Sequence, residues 1–159
     1  DIHVSAALQK GRVDVESNAV VVHREGERAR IHLMAPAAGK FTLEIYAGPF
    51  SKSEFAGVAE FSVLSRSGDM AGYPKVFTEL QRRQGQLLSA ISGILKPGKQ
   101  KFELFVPGAQ AVFVNDWDTP LQRSGDRFRG EVEVKAGETK VFARFSGTDG
   151  QHLVTYQVR

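Results

Sequence analysis

Four histidines, His3, His23, His32 and His152, are the residues of this chain suited to hold a metal or shuttle a proton, and they are scattered along it. No close pair has the spacing that brings imidazoles onto one zinc ion. His32 stands between Ile31 and Leu33 in an alternating run, which places it on a solvated face. Asn115, Asp116 and Asp118 gather three side-chain oxygens in a short stretch. A hard cation such as calcium takes about six or more oxygens, and Asx residues commonly shape turns, so the triplet reads as loop geometry. Serine hydrolysis needs a nucleophile, a base and an orienting acid, usually on a recognisable turn. No Gly-x-Ser-x-Gly occurs, and Ser92-Gly93 reads as a turn before Leu95. Gly98 and Gly108 follow prolines in turns and open no helix, so they cradle no phosphate. Cysteine is absent, which excludes a disulfide, a thiolate metal site and a thiol nucleophile within the chain. The reading is a non-enzyme with no catalytic residue, no metal and no cofactor.

What remains is binding chemistry. Trp117 is the only tryptophan, in the run Val114-Asn115-Asp116-Trp117-Asp118-Thr119-Pro120-Leu121. Two readings compete for it: packing on a sandwich edge or interdomain seam, the usual fate of a large aromatic, and stacking on a sugar ring. The second normally needs another aromatic in the same cleft, and no later tryptophan follows. Phe50 and Phe55 flank Ser51-Lys52-Ser53-Glu54 in a loop. They are the candidate anchors for a protein partner, because loop aromatics supply much contact per side chain, with tucking back over the sandwich end as the competing reading.

The 159 residues carry 21 basic and 18 acidic side chains, a formal net charge of +3. The signs are mixed, whereas a nucleic-acid binder concentrates base on one face with interleaved aromatics; no nucleic-acid partner is expected. No apolar run reaches the length of a membrane span, so no membrane insertion is expected. The lack of cysteine fits a reducing, cytoplasmic setting. The first residue is Asp1, not Met, which reads as a piece of a longer or processed protein.

Residues of these types must be positioned by strands. Alternation of apolar and polar residues runs through 29–34, 41–46, 102–106, 128–134, 141–145 and 153–158, and a period of two puts one face on a core and the other in water. Turns separate the runs: Pro36-Ala37-Ala38-Gly39, Ser124-Gly125-Asp126, Lys135-Ala136-Gly137 and Thr148-Asp149-Gly150. Residues 74–84 are read either as one short helix, with Val76, Phe77 and Leu80 at helical spacing, or as a strand around Phe77 to Leu80. Leu87, Leu88, Ile91, Ile94 and Leu95 form an apolar cluster expected to line a core and a seam. Small and polar residues from Ser65 to Gly72 break the pattern. The expected organisation is all-β: a first antiparallel Ig-like sandwich over 1–66, a linker over 67–74 and a second sandwich over 75–159.

Two resemblances attach to these residues. Ala35 to Ala47 with Glu60-Phe61-Ser62-Val63, then Ile94 to Lys99, Phe102, Val106-Pro107-Gly108-Ala109, Val112, Trp117, Leu121, Phe128 to Val132 and Tyr156-Gln157-Val158, resemble the tandem Ig-like modules that follow the transglutaminase-like domain in kyphoscoliosis-peptidase and hillarin-type proteins. The chain departs from that pattern at Ala90, where the family usually has proline, and lacks strong anchors before Ala29. The family's Cys-His-Asp domain is not in this chain, so no catalytic residue carries over. The resemblance implies early-set Ig-like sandwiches acting as a protein-binding scaffold or targeting segment, at cytoskeletal structures in some cases. The Trp117 run also resembles the F-N-x-W-x-x-x-P-L loop of starch- and glycogen-binding modules. That likeness implies α-glucan contact through Trp117 and Asn115 as the alternative function.

Overall fold

The computed structural model describes residues 2–147 and 149–159. Compact units cover residues 1–73 and 74–159. The first holds β1 (Ile2–Lys10), β2 (Val13–Asp14), β3 (Val20–Glu25), β4 (Arg28–Leu33), β5 (Gly39–Pro49) and β6 (Ala56–Ser65). The second holds β7 (Lys75–Val76), α1 (Thr78–Arg82), β8 (Gln86–Ser89), β9 (Ile94–Leu95), β10 (Gly98–Phe105), β11 (Ala109–Val114), β12 (Gln122–Ser124), β13 (Arg127–Val134), β14 (Gly137–Phe145) and β15 (Gln151–Val158). The architecture is all-β and built from antiparallel sheets, as the alternation requires.

In the first unit a four-stranded sheet, β2-β1-β5-β6, faces the hairpin β3-β4. Leu8, Ala19, Ala35, Phe41 and Leu43 are buried between them. The order is not that of a seven-stranded Ig module, because the second layer holds only the hairpin. Three strands, β1, β2 and β3, lie ahead of Ala29, where the sequence offers no strong anchors. The expected linker is tied to this unit by backbone hydrogen bonds, Asp69 N–H to the Ala35 carbonyl (2.9 Å) and Tyr73 N–H to that of Asn18 (2.8 Å).

The second unit is a sandwich of β12-β13-β10-β8 against β11-β14-β15-β7, with β9 running parallel to β15. Taking β8, β10, β11, β12, β13, β14 and β15 as strands A to G, the sheets read ABED and CFG, the constant-type Ig arrangement. Phe102, Leu104 and Phe128 from one layer meet Val141, Val154 and Tyr156 from the other in one core. Of the 87–95 cluster, Leu87 and Leu95 are buried, while Leu88 and Ile91 face solvent. Helix and strand share the 74–84 segment: Lys75–Val76 pairs with β15, and α1 is one short turn whose Glu79 accepts from Arg83 Nε at 2.9 Å. Thr148 of the last predicted reversal lies outside the described residues.

Candidate binding face

The register of the second sheet decides which side chains meet on its outer surface. Thr139, Val141, Ala143 and Phe145 of β14 point into the core, so Glu138, Lys140, Phe142 and Arg144 point out. Phe142 is opposite Phe113 on β11 and His152 on β15, and directly paired residues share a face. Phe77, just past β7, stacks on His152 with ring centroids 4.1 Å apart. His152 and Phe142 follow at 4.9 Å. Those steps match the spacing of roughly 4.8 Å between neighbouring strands, so one ring per strand makes a row across the sheet.

Trp117 crowns this row. Its indole lies 5.1 Å from both Phe113 and Phe142, centroid to centroid, and 48% of the residue remains exposed. The loop that presents it is stiffened at its base. Asn115 adopts φ +64°, a left-handed conformation that Asn tolerates better than most residues. Its amide accepts from Lys140 N–H (2.9 Å) and donates to the Thr139 hydroxyl (3.4 Å). Asp116 Oδ1 accepts from the N–H groups of Asp118 and Thr119 at 3.1 and 3.4 Å. Phe113 then bridges Pro120 as the chain returns. A β-carbon on Gly150 would run into the far edge of the indole, so the glycine lets the ring lie flat there. Of the oxygens weighed for calcium, those of Asn115 and Asp116 thus take backbone N–H groups, and Asn115 acts as a strut under Trp117.

Beside the aromatic row runs a polar one. Lys140, Thr155 and Lys75 are in cross-strand register on the same outer face. The Thr155 hydroxyl meets His152 Nε2 at 2.8 Å, and Lys140 pairs with Glu138 at 3.7 Å. Partial burial lowers the His152 pKa below the ordinary histidine value, opposed by a bond to the Val154 carbonyl and aided by Lys140 and Lys75. Burial thus favours the neutral imidazole, and the row presents flat rings flanked by a hydroxyl and ammonium donors.

Phe50 and Phe55 are placed differently. Both rings close on His3, at centroid distances of 5.1 and 4.8 Å, and Phe55 also covers Gly48. Each is half-buried at one end of the first sheet. His32 is half-buried as well, edge-on to His23 at 5.0 Å. His23 is buried, and its pKa is lowered to about 4, first by desolvation and then by the charges of His32 and Arg30 against that of Glu25. A folded pKa below the unfolded value means the unfolded chain binds the proton more tightly. The stabilisation is complete above pH 6.5 and disappears as pH falls to about 4. Allowing for screening by nearby water, about 1–2 kcal/mol is expected to be lost over that window. Urea midpoints at pH 7 and pH 4.5 check this: His23→Gln should flatten the difference, and an unchanged slope would rule His23 out as its source.

The sequence singles out Trp117 as the alternative glycan contact and presents His152 as a dispersed histidine and Phe77 as part of a helix or strand, while Phe113 and Phe142 are not singled out. The available signal was Phe142, an aromatic at an outward position between Lys140 and Arg144. No protein family's sequence profile matches the chain, and no curated protein matches it either. A solved structure titled Bacteroides ovatus mixed-linkage glucan utilization locus (MLGUL) SGBP-B in complex with mixed-linkage heptasaccharide is similar over 99% of this chain, at 14% identity and a TM-score of 0.27. The match spans 37% of that chain's length, and a superposition of this quality carries no argument about ligand.

Proposed function

We propose that this chain is a non-catalytic binding segment of a larger protein, and that its ligand is a carbohydrate taken on the outer face of the second sandwich. One observation carries the reading: the lone tryptophan is half exposed and packed on two rings of a four-ring aromatic row. A pre-ordered aromatic surface loses little freedom on binding, and the C–H face of a sugar offers flat apolar contact to it. The neighbouring Thr155, Lys140 and Lys75 supply donors for hydroxyl oxygens. The accessory role agrees with the resemblance to modules that flank a catalytic domain, whereas the protein-anchor role of Phe50 and Phe55 draws less support because both rings pack on His3.

Trp117 reports on its own site. Titration of maltoheptaose, and separately of a mixed-linkage β-glucan oligosaccharide, is expected to shift its fluorescence with saturable binding. Trp117→Ala should weaken calorimetrically measured affinity about tenfold or more, and Gly150→Ala should weaken it by tilting the indole. Phe50→Ala should leave it unchanged. No spectral change and no heat with either sugar at millimolar concentration would end the carbohydrate reading.

A further inference from the structure

We propose that β6 is a pairing edge for a second copy of this chain, joined antiparallel about a two-fold axis through Phe61. This inference is independent of the carbohydrate site. β6 ends its sheet and is ten residues long, with Glu60 as its one charged residue and no proline. Exposed edges are normally protected by lysine, proline, bulges, shortness or cover; β6 has one bulge, at its Val58 end, and none of the others, whereas among the described residues the other edges are short, charged or bridged. β2, β7, β8 and β12 are two to four residues long. The hairpin β3-β4 carries Arg24, Glu25, Arg28 and Arg30. β11 is bridged by Pro120.

The side chains on β6 say what would cover it. Leu8, Leu43 and Phe61 are in direct cross-strand register and so share the core face. Leu8 and Leu43 are buried, but Phe61 is 53% exposed, because the core row stops at an open edge. A partner strand continuing the sheet must keep core-facing residues opposite core-facing residues, which restricts the two-fold registers to those centred on a residue. Centring on Glu60 would oppose the two carboxylates, an unfavourable pair. Centring on Ser62 puts Glu60 opposite Leu64. Centring on Phe61 puts Phe61 opposite Phe61 of the second copy, Ala59 opposite Val63 and Glu60 opposite Ser62. Over residues 59–63 every apolar side chain then meets an apolar one, no like charges are opposed, and the row Leu8-Leu43-Phe61 runs on into its symmetry mate. The register irregularity between Ile45 and Tyr46 lies at the Gly57 end and leaves residues 59–63 regular for pairing.

The absence of cysteine makes the register directly testable. In this arrangement only position 61 faces itself, at a side-chain separation of about 5 Å, within reach of a disulfide. Phe61→Cys treated with diamide is expected to give a covalent dimer on denaturing gels. Leu64→Cys, whose two copies would lie roughly 20 Å apart along the strands, should stay monomeric. Sedimentation of the unmodified chain at about 100 µM, enough to populate a micromolar complex, should show a dimer, and Phe61→Lys should return it to monomer. A monomeric unmodified chain at that concentration would overturn the proposal. So would equal cross-linking at 61 and 64, or none at 61 when the Phe61→Cys chain sediments as a dimer.

Discussion

Phe102→Ala is expected to destabilise the second sandwich by about 3–5 kcal/mol. Phe102 is 1% exposed on β10, and its ring meets Tyr156 of the opposite layer edge-on, with centroids 5.6 Å apart. The substitution removes a large ring from between two sheets whose backbones are held in place by their own ladders, so little can collapse into the space. The lost edge-to-face pair adds to the cost. Tyr156 itself is fully buried, which pushes ionisation of its phenol upward and keeps it neutral. A small domain has about 5–15 kcal/mol in total, so the variant should unfold near physiological temperature. Urea unfolding followed by Trp117 fluorescence measures it, since that indole sits in the same unit. A loss under about 1 kcal/mol would mean the two layers are not joined through this pair.

Gly68→Ala is expected to destabilise the first unit by about 3 kcal/mol, the upper end of the cost of overpacking. Gly68 is exposed and lies in a stretch of small polar residues, where substitution is ordinarily harmless. Here a β-carbon would overlap the backbone of Ala37 and the carbonyl carbon of Pro36. Backbone cannot rotate aside as a side chain can, so the strand-like approach of 68 to 37 must open. The Asp69 N–H bond to Ala35 goes with it. Amide exchange gives the readout: protection at Asp69 should fall along with that of Leu43 in the adjoining core. Arg66→Ala, a neighbouring exposed position, should change neither. Full protection at Asp69 in the Gly68→Ala chain would show that residues 67–69 are not packed on the turn.

These two positions also mark how far the sequence can be read. Phe102 is legible: it stands in a clean alternation with Leu104, between turns, and lands in the core. Gly68 is not, because its neighbour in space is thirty-one positions away and nothing local announces it. The same contrast separates the second unit, whose β10, β13 and β14 follow their alternation closely, from β1. In β1, Ile2–Lys10, small residues at Ser5, Ala6 and Ala7 blur the period, and the strand exists because β5 pairs along its length.

The sequence by itself determined that the chain is all-β, that thiol chemistry is excluded from it, and that one tryptophan sits in an Asx-rich loop. Those conclusions rest on residue types and on near-neighbour spacing, which the chain carries locally. Only the tertiary structure decided that Phe113, Phe142, His152 and Phe77 form one surface with Trp117, and that Phe61 stands at an open edge. Both depend on cross-strand register, a relation between residues far apart in the chain, and a shift of one position would turn each ring to the opposite side of its sheet.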